Sequence, residues 1–226
     1  MSFAGFPDEG LVFYEGLEAD NSKTYWTGHK GDYETHVRRP LQALVDELAP
    51  EFGGAKIFRP YRDVRFSADK TPYKTHQGAV LTSGTGELGA WYVQVSAEGL
   101  MVAGGVWRLE SDQVERYRRA VADGVQGPRL VEQVRLLTGA GYEIGGDRLV
   151  RAPRGFDVED DERGDLLRHR SLHALRRWEP ADWLHTRQAL DRVRTAWRDF
   201  VPLNRWLADN VALTTKESPG PAGTPR

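Results

Sequence analysis

The sequence predicts an α+β fold: a mainly antiparallel central sheet, with helices from the N- and C-terminal thirds packed against it. Three observations point there. Apolar residues recur at steps of three or four before residue 56 and again after residue 110. Between them, residues 56–108 switch to strand-like alternation, with a hairpin signal at Glu98-Gly99. The helical and strand-like patterns also come in blocks rather than in strand–helix–strand units, which argues against a parallel sheet.

Taken in order, Pro7 suits the first turn of a helix carrying Leu11, Val12, Tyr14 and Leu17, because its missing N–H is not needed there. After Asn21 a second helical stripe runs through Tyr33, Val37, Leu41, Leu44 and Leu48. Pro40 falls inside it, so a kink or a fresh helix start is expected. Residues 57–66 read as a strand, with Phe58, Val64 and Phe66 on one face, Arg59, Asp63 and Arg65 on the other, and Arg62 on the apolar side. Residues 90–95 and 100–107 flank Gly99, which supplies the positive φ of a hairpin turn. Ser111 is placed to cap a helix bearing Val114, Tyr117 and Val121 and ending near Gly124. Pro128 opens another with Leu130, Val131, Val134 and Leu137, stopped by Gly139. Short strands or turns follow over residues 142–150. Pro180 then starts the clearest helix, with Trp183, Leu190, Val193, Trp197 and Phe200 in one stripe and Arg187, Asp191, Arg194 and Arg198 opposite. One domain is expected over residues 1–213, with a disordered tail over 214–226, where Pro219-Gly220-Pro221 and Gly223 accompany little that could be buried.

At 226 residues and 25.5 kDa the chain is long enough for one sizeable core or two small ones. With 39% apolar and 28% charged residues it falls among soluble globular proteins. Lys and Arg total 31 against 33 Asp and Glu, a net charge of -2 with a pI near 6.3. That balance excludes a globally basic nucleic-acid binder and leaves a local basic patch open. Without cysteine there are no disulfides, thiolate metal sites or cysteine nucleophile. No run approaches the roughly 18 apolar residues of a membrane span. The N-terminus carries no secretory pattern, so a cytoplasmic protein is expected. No solenoid-like repeat is present.

Two familiar patterns carry little weight. Gly84-Thr85-Gly86-Glu87-Leu88-Gly89 matches G-x-G-x-x-G, but the strand-like residues 90–93 follow where a phosphate-binding helix should begin. His169 and His173 have the spacing of two metal ligands on one helix face. Arg168, Arg170, Arg176 and Arg177 crowd them with positive charge, and no Glu lies between them, so neither a metal nor a cofactor is expected. The acidic run of Asp157, Glu159, Asp160, Asp161 and Glu162 is expected to pair with those arginines in a solvated loop.

The segment Arg59 to His76 stands apart because it gathers arginines, lysines, two aspartates, two tyrosines, hydroxyls and a histidine in one strand and its following loop. Guanidinium forks and lysine ammonium groups suit phosphate or carboxylate oxygens. Pro72 holds Thr71 extended and stiffens the loop. Asp63 and Asp69 are candidates either to orient the cations or to accept protons. A salt-bridged strand-to-loop junction, in which these residues satisfy one another, accounts for the same composition.

The run R-D-V-R-F-S-A-D-K-T-P-Y-K-T-H, Arg62 to His76, resembles the signature of a widespread bacterial and fungal family known only as a domain of unknown function. Asn21-Ser22-Lys23-Thr24-Tyr25-Trp26, with His29-Lys30 and Tyr33, is similar to that family's N-N-(basic)-x-W-F segment, with Tyr25 where a Trp is usual. Gly104-Gly105, Trp107 and Arg118 resemble its glycine-rich strand and the arginine of the next helix, and residues 149–156 its L-x-R-x-P-(basic)-G-(aromatic) stretch. The family's usual His-Pro pair is replaced here by Asp160-Asp161-Glu162. The resemblance implies one domain, an α+β fold and no established activity, and it assigns no catalytic residue. It adds that Arg62, Asp63, Arg65, Asp69, Lys70, Pro72, Tyr73 and Lys74 match a family signature.

Three readings follow. In the first, a small anionic ligand bearing phosphate or carboxylate is bound by Arg62, Arg65, Lys74 and His76, with Arg118 and Arg151 contributing. Whether the protein is an enzyme stays open. If it is, Asp63 or Asp69 takes the proton and Lys70 or Tyr73 stabilises developing negative charge, in acyl or phosphoryl chemistry. In the second, a nucleic-acid or protein binding module uses the basic loop with Tyr61, Tyr73, Trp91, Tyr92 and Trp107, although the net charge counts against phosphate-backbone binding. In the third, the segment is a purely structural ion-pair network, and Arg62→Ala strands a buried carboxylate. Oligomeric state is open in all three.

Overall fold

The apolar stripes of the first third become helices in the computed structural model of the chain, which describes residues 2–65, 67–84, 88–156, 158 and 160–214. α1 (Asp8–Ala19) follows Pro7 and buries Leu11, Tyr14 and Leu17, while Val12 stays exposed. α2 (Lys23–Asp32) is capped by Ser22, whose hydroxyl accepts the Tyr25 N–H at 3.1 Å. A π-helical turn, Tyr33–Arg38, then leads directly into α3 (Arg39–Phe52). Pro40 explains that turn: it cannot donate to the carbonyl four residues back and its ring crowds it, so the chain widens to pass the proline.

The strands form one six-stranded antiparallel sheet in the order β1-β2-β3-β4-β6-β5, made of β1 (Gly54–Ile57), β2 (His76–Thr82), β3 (Ala90–Ser96), β4 (Gly99–Val106), β5 (Glu143–Gly145) and β6 (Leu172–Trp178). Gly99, at φ 104°, turns the β3–β4 hairpin. The α+β class and the antiparallel sheet are thus as the sequence predicts. The strand expected over residues 57–66 is not. β1 ends at Ile57; the Phe58 N–H still donates to the Gly78 carbonyl of β2 at 3.0 Å, and beyond it the chain leaves the sheet and closes on itself through a bridge between Tyr61 and Tyr73. Arg62, Asp63 and Arg65 face loop partners instead of a neighbouring strand, and Phe66 lies outside the described residues.

Two helix starts also shift. α4 (Ser111–Ala122) is capped by Glu110, not Ser111: the Glu110 side chain and Gln113 reciprocally satisfy the first free N–H groups. Trp183 sits in a 3₁₀ turn (Asp182–His185), and α7 (Gln188–Asn210) begins beyond it. α5 (Gln126–Gly139) and α6 (Asp161–Leu166) complete the set, the latter capped by Asp160. Thr85, Gly86 and Glu87 of the glycine motif, and residues 215–226 of the expected tail, lie outside the described residues. Among the described residues no helix is long and apolar enough to cross a membrane.

Side-chain alternation splits the sheet into two faces. One carries Leu81, Trp91, Gly104 and Ala174 in register and takes Phe52 of α3 and Trp197 and Phe200 of α7. The Trp91 indole donates to the Trp197 carbonyl at 3.3 Å, and the Trp197 indole donates to the Tyr92 carbonyl at 3.2 Å. The other face carries Val80, Tyr92, Ala103 and Leu175 in register and borders open cavities. A Cβ on Gly104 would stand 2.7 Å from the Phe200 side chain, so the close seat of α7 requires glycine there. Gly104→Val is expected to lower unfolding free energy by about 2–3 kcal/mol, as overpacking does, measured by urea denaturation.

Candidate functional site

The charged segment folds as a loop that mostly consumes its own charges. Arg62 bonds to Asp69 and Thr71, and Arg65 grips Asp63 through Nε at 2.9 Å and Nη2 at 2.7 Å. The Lys70 ammonium donates to the Val64 carbonyl at 2.9 Å. The Arg62 N–H reaches the Pro72 carbonyl at 2.9 Å and the Lys74 N–H reaches that of Pro60 at 2.8 Å, which ties the loop's base together. The Arg65 guanidinium holds the Asp63 carboxyl at about 2, and Arg62 does the same for Asp69, so both are poor bases near neutrality. Tyr73 is a core anchor. Its ring stacks on Trp26 at 4.4 Å, its backbone pairs with the Asn21 amide, and burial raises its hydroxyl pKa.

Past Tyr73 the chain enters β2 and delivers Lys74 and His76 to the open face of the sheet. They line a cavity of about 350 Å³ with Phe58, Tyr92, Gln94 and Trp107. The Lys74 ammonium lies 5.4 Å from the centre of the Phe58 ring. Burial, then the neighbouring Arg59 charge, lowers the Lys74 pKa; burial, then Lys74, lowers that of His76. The Tyr92 hydroxyl donates to Gln94 Oε1 at 2.9 Å, and burial lifts its pKa to about 12.

Trp107, 51% exposed at the end of β4, also borders two further cavities. One is a slot of about 300 Å³ over Ala103 and Gly105, next to His173. The other, about 810 Å³, is lined by Arg108, Arg118, Arg170, Asp147 and Phe156. Arg170 pairs with Asp147 at 2.6 Å and Arg108 with Glu110 at 3.5 Å. Arg118 has no carboxylate partner among the described residues. Its Nε donates to the Leu167 carbonyl at 3.3 Å, and burial together with the Arg170 charge lowers its pKa.

The sequence-predicted set therefore divides. Lys74 and His76 reach one side of Trp107 and Arg118 the other; Arg62, Asp63, Arg65, Asp69 and Lys70 stay within the loop; Tyr73 is in the core; Arg151 is exposed and borders none of these cavities. The five aromatics of a stacking platform do not share a surface, because Trp91 packs inward on Phe52 and Trp197 while its neighbour Tyr92 faces outward. Gln94, Ala103 and Gly105 were not legible as site residues, though the alternation along β3 separates Tyr92 and Gln94 from Trp91, Val93 and Val95.

His169 and His173 flank the start of β6 and do not share a helix face. The His169 ring nitrogen Nδ1 lies 3.1 Å from the Ser171 carbonyl, and among the described residues no group of three His, Asp or Glu is placed to hold a metal. The pairing expected between the acidic run and the arginines around these histidines is not made among the described residues: Asp160 caps α6 and Glu162 pairs with Arg135, while Arg168 pairs with Asp165, Arg170 with Asp147 and Arg177 with Glu143. Asp157 and Glu159 lie outside the described residues.

The sequence profile of a family described as conserved hypothetical protein (DUF2461) matches residues 9–206. No curated protein and no solved structure matches the chain.

Two outcomes are expected. Asp69 is 56% exposed, so Arg62→Ala leaves a hydrated carboxylate rather than a stranded one. Its urea midpoint should stay close to the parent's. Burial, then the nearby His169 and Arg177, pushes His173 down from 6.5 to about 4. The unfolded chain therefore takes up a proton first as pH falls, and stability is full above 6.5 and declines as pH falls toward 4. Between pH 7 and 4.5 the loss from this group should be about 1–2 kcal/mol after allowing for partial solvation, and His173→Gln should remove it from the measured pH profile.

Proposed function

The chain belongs to the DUF2461 family of conserved hypothetical proteins, and from its open sheet face we propose that it binds a small anionic molecule bearing a phosphate or carboxylate, with Lys74 and Arg118 as cationic anchors. The observation that carries this reading is a charge imbalance. Arg62, Arg65, Arg108 and Arg170 each face a carboxylate, whereas Lys74 and Arg118 are partly desolvated and face none among the described residues. A desolvated cation without a counter-ion is costly, and a bound anion offsets that cost. Gln94 and His76 add polar groups beside Lys74, and Trp107 lines the cavities of both anchors. For the 62–71 loop the pairings of Arg62 and Arg65 favour the ion-pair network instead. With Asp63 and Asp69 engaged in those pairs, binding has better support than acid–base catalysis.

Thermal and urea denaturation against inorganic phosphate and acetate test the reading. At a hundredfold excess over Kd a ligand raises stability by about 2.7 kcal/mol. Lys74→Met should leave the ligand-free protein as stable as the parent or slightly more so, because it removes a desolvated charge, and should weaken the phosphate response. Absence of any response to phosphate or carboxylates, or a marked loss of stability in ligand-free Lys74→Met, would overturn it.

A further inference from the structure

Between the two anchors the open face changes character. In the pairing of β3 with β4, Ala90 stands opposite Gly105 and Tyr92 opposite Ala103, and Gly105 in turn faces His173 of β6. Ala90, Ala103 and Gly105 form a low shelf in mid-sheet, with Tyr92 and His173 at its margins. Gly105 cannot be otherwise: its φ is 133°, and a Cβ there would strike the Leu172 carbonyl. The Tyr92 ring beside the shelf is held by its bond to Gln94 and lies over Gly78, where a Cβ would strike its hydroxyl. Trp107 stands 6.3 Å from Tyr92, edge to face, and remains half exposed. The slot above the shelf holds about 300 Å³, has no carboxylate in its lining among the described residues, and shares Val80, Tyr92 and Trp107 with the Lys74 cavity, so the two run together.

A lone phosphate or carboxylate would occupy the cationic end only and leave the slot beside the aromatic wall unfilled. Ligand cavities typically combine a mostly apolar lining with a few polar anchors, and rigid aromatic walls favour flat partners. We infer that the slot over Ala103 and Gly105 receives a planar ring, so that the ligand class is an aromatic or heteroaromatic molecule carrying a phosphate or carboxylate. This rests on the anion-binding reading above and narrows it.

Calorimetric titration of the full chain with two probe pairs, inorganic phosphate against phenyl phosphate and acetate against benzoate, separates the ring from the anion. In each pair the ring compound should bind at least about tenfold tighter, the scale of one aromatic stacking contact. Trp107→Ala and Ala103→Leu should each erase that advantage. Trp107 is outside the core, so its variant reports even if Ala103→Leu fails to fold. Equal affinity within each pair, or a ring advantage that survives Trp107→Ala, overturns the slot and leaves the anion reading standing. Failure of all four probes to bind overturns both.

Discussion

The seat of α7 on the sheet is the constraint on which the rest depends. Phe200 can approach β4 closely only because Gly104 has no side chain, and Trp197, fully buried, exchanges indole-to-carbonyl hydrogen bonds with β3. Together with Phe52 of α3 these contacts bury one face of the sheet. An antiparallel sheet tolerates that asymmetry, since its backbone groups are satisfied within the ladder and one face can meet water. The open face thereby borders the cavities, and its alternate residues, Tyr92, Gln94 and Ala103, belong to it because their neighbours Trp91, Val93 and Val102 are committed to the core.

Charge is arranged with the same division. The loop after β1 matches most of its charges locally, which allows a cation-rich segment to run across the surface without a partner molecule. Local matching also fixes the loop's base, and the base aims the chain into β2 so that Lys74 and His76 emerge beside Tyr92. The anchoring of Tyr73 between Trp26 and Asn21 serves that positioning from the core side. Paired charges thus build the support, and Lys74, which has no carboxylate partner among the described residues, lines the cavity beside it.

How much of this was legible depends on whether the signal was local. The helices from α1 to α5 and α7 announce themselves through apolar spacing and prolines, and the β3–β4 hairpin through Gly99, because each depends on residues within a few positions of one another. β2 and β6 were not legible. β2 mixes His76, Gln77 and Gly78 with apolar residues, and β6 carries His173, Arg176 and Arg177, so neither shows clean alternation; both exist because flanking strands supply their hydrogen bonds. The alternation over residues 57–66 misled for the converse reason: it had the strand period, but past Phe58 the chain leaves β2 and pairs only at the Tyr61–Tyr73 bridge, within its own loop.

The sequence by itself determined the fold class, most of the helices and the presence of a cation-rich segment, since these follow from composition and short-range periodicity. Only the tertiary structure decided which cations meet a carboxylate among the described residues. Arg62 and Lys74 look alike in the chain, yet one meets Asp69 and the other enters a half-enclosed cavity beside Phe58. Arg118, more than forty positions from Lys74, reaches a cavity that meets the Lys74 cavity at Trp107 only because β4 carries the chain from the hairpin to the start of α4. Electrostatic matching depends on distance through space and on exclusion of water, and neither is written in sequence separation.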